Sequence, residues 1–519
     1  MTPDDAHLAG GHGHAVVIGS SLAGLATARA LANFMDHVTV VERDWVPRGP
    51  GRRRAVPQAR HTHLLAPDAL HGLEQLFPGI VEDLTAAGAV PVRLGEDTLV
   101  LSAGGWLPRT ADGGRLLSAS RDLTEAVLRE RLLTEPKVSF LTRHEAVALE
   151  GGPHDTVTGV WVRRRERPAR NGGGRGPRRL ISADFVVDAT GRGSAAPRWL
   201  AELGYTPPKE TVLAPHPATA TAVFTPPVGH VADFRALFLL PGHDGRDGLG
   251  MLQPLEGGRW SVSVRTGDTQ PAPTGHAGLL TAAARLGHRL LHDLIAAATP
   301  LGPVYTRPAA APRWRHYEKL RRWPDQFLVV GDAYATFDAA LPQGPTHAVH
   351  CALVVDQLLA SHGTAIGLGY RLRRALARQL APAWRAAAHH TRPLPGGRGG
   401  PAGHGWTARL RRHLTARLSA AAPTDTHAAA ALLTALHTPL PATAVLRWRL
   451  LRAALRGARR STAVAAPPST THGPHARPRR HTRAEPGAAR PAAATPALPA
   501  TGQAAHGPHV SPAGKRHRP

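Results

Sequence analysis

The sequence predicts an α/β fold in which a parallel-sheet, βαβ-built domain is interleaved with a mostly antiparallel one, followed by a helical extension and a disordered tail. Three observations predict it. A strand, a Gly-rich turn, a helix and a second strand succeed one another within residues 14–42. Strand ends carrying an acid and a glycine recur at Val186–Gly191 and Leu328–Ala333, with alternating strand patterns between them. The charge also shifts abruptly: 25 basic residues and only 2 acidic ones lie from Arg371 onward, so +23 of the net +26 resides there.

The elements follow in order. AVVIG is a short apolar β-branched run, SSLAGLATARALANF has helical periodicity, and VTVVE is again a strand. A helix is expected over 122–133, then strands at VSFLT, VTGVWV and FVVDAT. The Gly/Arg-rich stretch 168–179 reads as a long hairpin tip. From about 198 to 321 strands such as TATAVF, RALFLL and RWSVSV dominate, and FLVVGD then returns the chain to the first domain. Helices are expected over 408–421, 428–436 and 444–457, while beyond about 463 Pro, Ala, His, Thr and Arg leave too few apolar anchors for a core. With 519 residues, the chain is long enough for several domains. We expect a dinucleotide-binding domain from 12–197 and 322–366, a substrate domain at 198–321, a basic helical extension at 367–462 and a disordered tail at 463–519.

The chemistry concentrates at the first turn. Gly19-Ser-Ser21-Leu-Ala-Gly24 lies between a strand and a helix, the position of a Rossmann-type dinucleotide fingerprint. Gly19 permits the tight turn, Ser21 replaces the usual second glycine, and Gly24 permits close helix–strand packing. A pyrophosphate there would meet free N–H groups and the positive end of the helix. Glu42 ends the second strand, 23 residues after Gly19, where a carboxylate accepts ribose hydroxyls and repels a 2′-phosphate. Asp188 with Gly191, and Gly331 with Asp332, place further acids at strand ends. Such acids can hydrogen-bond a ribityl chain, which flavins have and nicotinamides lack.

Other classes are excluded on composition and spacing. The single cysteine, Cys351, sits in an apolar stretch, excludes a disulfide framework within the chain and fits a reducing compartment, so a cytoplasmic location is expected. No run of 18 apolar residues suggests a transmembrane segment, and 15–32 lacks the basic flank of a signal peptide. His61-x-His63 is the best-placed pair among 31 histidines, but acidic or cysteine partners at ligand spacing do not accompany it, so no metal is expected. Ser20 and Ser21 do not form a nucleophile elbow. The basic C-terminus lacks interleaved aromatics, so nucleic acid is not an expected partner; weak attraction to anionic surfaces is.

The chain resembles the FAD-dependent aromatic hydroxylase superfamily, and within it bacterial flavin epoxidases and monooxygenases acting on polyketides such as polyether precursors. The resemblance spans about His14 to His350. It is carried by HVTVVERD (37–44), VPQARHTHLL (56–65), SASRDLTEAVL (118–128), VVDATGRGSAAPRWLAELGY (186–205) and FLVVGDAYATF (327–337). It implies a Rossmann-type FAD-binding domain interleaved with the antiparallel substrate domain. It further implies that Gly19, Ser21, Gly24, Glu42 and Arg43 hold the ADP moiety, Arg121 the phosphates or ribityl, Asp332 the ribityl, and the loop with Gln58 the ring. Where the family follows the Gly-Asp strand with Asn-Pro and then Gly-x-Gly-Met, this chain has Asp338-Ala-Ala-Leu-Pro-Gln-Gly344-Pro345, and only Gly344 survives.

The implied function is an FAD-dependent monooxygenase. NADPH or NADH would dock transiently to reduce the flavin, and dioxygen would reach the substrate through a flavin hydroperoxide. No acid–base dyad is needed, and no catalytic side chain is assigned. Apolar strands in 198–321 suggest a large hydrophobic substrate. The alternatives are a flavin-dependent reductase or dehydrogenase on the same fold, and a non-catalytic paralogue, which the altered 338–345 loop motivates.

Overall fold

The computed structural model describes residues 13–437, apart from 54–55, 111–113, 166–175, 216, 243–247, 268–270, 339–341, 365–366, 391–405 and 436. The expected helix at 444–457, the tail from 463 and most of the hairpin tip lie outside the described residues.

Five parallel strands form the first sheet in the order Phe327–Val329, Phe185–Asp188, His14–Ile18, His37–Glu42, Val138–Thr142. Their near-continuous apolar runs reflect burial on both faces. The helix Leu22–Ala32 crosses between the first two strands in sequence and packs against the long helix Gln343–His362. The helix Arg121–Leu133 starts one residue before the expected 122 and ends at the expected 133. Ser120 caps it by accepting the Leu123 N–H at 3.1 Å, Asp122 lies in its first turn and Arg131 in its last.

The second sheet is mostly antiparallel, and its strands alternate strictly. One face, including Leu99, Leu101, Ala220, Ala222, Leu237, Leu252, Val262 and Val264, is buried with Leu279, Ala283, Leu291 and Ile295 of the helices Gly275–Ala284 and Leu290–Ala296. The other face divides. Val100, Ala236, Phe238, Leu249 and Met251 pack with Leu418, Ala421 and Leu433 from the helices Trp406–Ala421 and Thr426–Ala435. The remainder of that face is polar: Thr221, Gln253, Ser261 and Ser263 are buried there. Strands Thr98–Ser102 and Gly105–Trp106 join this sheet from the earlier half of the chain.

The apolar strand pattern is thus accounted for in part by the covering helices and does not by itself report a hydrophobic substrate. Most of the apolar positions are covered by helices; Met251 and Gln253 line the cavity described below, and Thr221, Ser261 and Ser263 are buried hydroxyls of the same face. No helix among the described residues is long and apolar enough to cross a membrane.

Candidate functional site

Three turns from distant parts of the sequence meet at the carboxyl ends of the parallel strands. Gly19 adopts φ +106, and its N–H donates to the Val41 carbonyl at 2.8 Å. A Cβ on Gly24 would overlap the Gly19 carbonyl oxygen, and one on Gly331 (φ +58) would overlap the Ala23 methyl. These glycines let the helix Leu22–Ala32 begin directly against the sheet. No side chain caps that helix, since the Ser21 hydroxyl is engaged elsewhere, so its first N–H groups stay available.

A cavity of about 710 Å³ opens at this junction, within the range of small-molecule sites. Gly19, Ser21, Glu42, Arg43, Gln58, Arg121, Gly191, Asp332 and Gly344 all line it. Gly24 and Gly331 stand behind the wall as packing glycines. Asp188 does not reach the cavity. Its Oδ1 accepts the Thr190 N–H and hydroxyl at 2.8 and 2.6 Å, and its Oδ2 accepts the Ser194 hydroxyl at 2.5 Å. The carboxylate closes its own turn, behind the residues that line the cavity.

Beneath the first turn lies a buried charge cluster. Glu42 Oε2 accepts the Ser20 N–H at 3.0 Å, the Ser20 hydroxyl at 2.7 Å and Arg53 Nη1 at 3.0 Å, and its Oε1 accepts the Asp44 N–H at 2.9 Å. A carboxylate offers about four acceptor sites, so a ribose hydroxyl must share or displace one of these donors. Arg53 Nη2 reaches the Ser20 carbonyl at 3.0 Å and pairs with Glu125. Arg121 Nε donates to Glu125 at 2.6 Å and its Nη2 to the Ser21 hydroxyl at 2.8 Å, while that hydroxyl donates to Glu125. Burial alone would raise the Glu125 carboxyl, but Arg121 and Arg53 outweigh it and hold it at about 2. Burial pushes the Asp332 carboxyl up, against the opposing fields of Arg121, Arg307 and Arg192. The sequence reading missed Arg53 and Glu125.

It also missed the opposite wall. His61 Nδ1 lies 2.9 Å from the Thr221 hydroxyl, which lies 2.7 Å from Ser263 Oγ, itself 3.3 Å from Thr62 Oγ1. His63 Nε2 is 2.8 Å from the Gln58 carbonyl. Burial, with Arg307 and Arg60 nearby, lowers His61 to about 4; burial and Arg121 lower His63 to about 3. Each ring is therefore neutral at pH 7. Arg192, Tyr305, Arg307 and Phe337 complete this side.

The altered loop ends at Pro342, which precedes the helix Gln343–His362; Ala339–Leu341 lie outside the described residues. Pro345 sits in the first helical turn, where its missing N–H breaks no helical bond. Gly344 and both prolines line the cavity. Asp338 is not a bare added charge: Arg265 Nη2 donates to its two carboxylate oxygens at 2.6 and 2.8 Å.

No family model matches the chain. It is 34 % identical over 397 residues to Protein Rv3254 of Mycobacterium tuberculosis (strain ATCC 25618 / H37Rv), covering 74 % of this chain and 82 % of the relative. Its fold is similar to that of PqsL, a probable FAD-dependent monooxygenase from Pseudomonas aeruginosa (TM-score 0.53, 18 % identity, 72 % of this chain and 93 % of that one). It is also similar to that of p-nitrophenol 4-monooxygenase PnpA from Pseudomonas putida DLL-E4 (TM-score 0.54, 16 % identity, 81 % and 96 %). The chain belongs to the family of the mycobacterial Protein Rv3254, on the fold of the FAD-dependent, hydroxylase-type monooxygenase superfamily.

Proposed function

We propose that this chain is an FAD-dependent monooxygenase that takes electrons from NADPH or NADH and transfers one oxygen atom of dioxygen to a small organic substrate, by hydroxylation or epoxidation. The observation that carries the reading is a single cavity joining a dinucleotide-type turn to a second, polar wall. The residues present suit FAD. Gly19 and Ser21, with the uncapped helix start, can receive the pyrophosphate, Glu42 the adenosine ribose, and Arg121 with Asp332 the middle of the molecule. Gln58 and the Gly344 turn would then face the ring. Bound FAD supplies the redox chemistry with dioxygen; the chain binds it, orients the substrate and keeps water out. Relative to the family loop, Pro345 withdraws one backbone donor, while the Arg265 pairing offsets the charge of Asp338. Slow flavin reduction is therefore expected rather than none.

Oxygen uptake tests the reaction class. FAD-loaded protein should oxidise NADPH or NADH with roughly one dioxygen consumed per nicotinamide, the stoichiometry of flavin oxygenase chemistry. Nicotinamide oxidation that needs a carbon acceptor but no dioxygen would favour the reductase reading. No oxidation despite bound FAD would favour a non-catalytic binding protein.

A further inference from the structure

We infer that the substrate carries an anionic oxygen group, a carboxylate, and that Arg307 receives it. This deepens the proposed function and rests on it. Arg307 ends the short edge strand Tyr305–Arg307, which pairs with Thr219–Thr221 on the polar part of the second sheet. It lines the main cavity and also a small annex of about 20 Å³, shared with His61, Thr62, Arg265, Phe337 and Asp338. No residue of the Gly19–Gly24 turn lines that annex.

Arg307 differs from its cationic neighbours in having no acceptor. Arg265 is held by Asp338, Arg192 donates to the Ala311 carbonyl at 3.0 Å, and Arg121 is locked to Glu125. The Arg60 guanidinium sits over the Tyr305 ring, 4.3 Å from its centroid. The Arg307 side chain forms no hydrogen bond or ion pair among the described residues, and its Nη1 is buried without a partner. Its nearest opposing charges are Asp332 and Asp338, and Asp338 is already bound by Arg265. A half-buried guanidinium with an empty donor fork is a strong receptor for a planar oxyanion, which it can grip through two parallel N–H bonds.

The surroundings favour the same ligand. His61 is neutral, so it neither repels a cation nor satisfies an anion alone. Its Nδ1 is committed to Thr221. The Thr221–Ser263–Thr62 hydroxyls continue a polar wall beside it. A carboxylate on Arg307 would anchor one end of the substrate here and direct the remainder along the cavity toward the Gln58 and Gly344 walls.

Calorimetric titration of the FAD-supplemented full chain with 1-naphthoate and with 1-naphthamide tests the assignment. The two probes differ only in charge and in one end group. The wild type should bind the acid at least about ten-fold more tightly, as expected for a hydrogen bond to a charged group. Arg307→Gln should abolish that preference, and Arg307→Lys should retain part of it, with FAD content and melting temperature unchanged in both. Equal binding of acid and amide by the wild type, or an acid preference that survives Arg307→Gln, would overturn the inference. So would loss of FAD from Arg307→Gln, which would assign the guanidinium to the cofactor. The heat of probe binding does not depend on flavin turnover, so a chain that prefers the acid but consumes no oxygen would count against the monooxygenase reading alone.

Discussion

Replacing Arg53 with methionine is expected to destabilise the folded protein by about 3–5 kcal/mol, the cost of breaking a buried ion pair from one side. Arg53 is 5 % exposed and bridges two carboxylates, Glu42 and Glu125, that are themselves almost wholly buried. Removing it takes away the cation paired with Glu42 and leaves Glu125 with Arg121. The methionine fills much the same volume, so the effect reports charge rather than a cavity. Urea denaturation of wild type and Arg53→Met measures the loss. The double variant Arg53→Met with Glu125→Gln should recover part of it, because one of the orphaned charges is then gone. Unchanged stability in the single variant would contradict the cluster geometry.

A second large effect is expected in acid. His61 titrates at about 4 and His63 and His347 at about 3, burial being the leading cause in each case, whereas in the unfolded chain each titrates near 6.5. Their folded values are depressed, so the stability they contribute is complete above about pH 6.5 and is lost as the pH falls toward 3. Over roughly pH 6 to 4 these three imidazoles bind up to three more protons in the unfolded chain, a loss of up to about 4 kcal/mol per pH unit that the raised carboxyls of Asp188 and Asp332 oppose. Glu125 adds to this only below about pH 4.5, since its folded value is also depressed. Urea midpoints at pH 7, 6 and 5 read the slope. His347→Phe should flatten it by about a third, because it removes one of the three buried imidazoles, the one in contact with the Tyr334 and Phe337 rings. A flat profile from pH 6.5 to 5 would contradict the neutral imidazoles.

The fold was legible because its signals are local. Strand runs and the Gly19–Gly24 spacing each specify their element without reference to the rest of the chain. The site was legible only where a motif carries its own geometry, as with Gly19 and Glu42. Asp188 and Asp332 have the same local signature of an acid and a glycine at a strand end. Only packing turns the first inward onto Thr190 and Ser194 and leaves the second on the cavity. Arg53 sits in a run of three arginines, and nothing in Arg52-Arg53-Arg54 tells which one is buried. The polar wall did leave a trace in TATAVF and RWSVSV, where small hydroxyl residues alternate with apolar ones. Which of those faces meets the cavity depends on where the covering helices dock, and that is a tertiary fact.

Flavin specificity tests the account most directly. The Gly19–Gly24 turn and Glu42 address an ADP moiety that FAD has and FMN lacks. Flavin-free protein titrated with each should bind FAD and scarcely bind FMN. Glu42→Gln, which keeps the shape but removes the ionised acceptor, should weaken FAD by roughly ten-fold or more. Equal affinity for FAD and FMN, or no flavin binding at all, would contradict the assignment of this cavity to FAD.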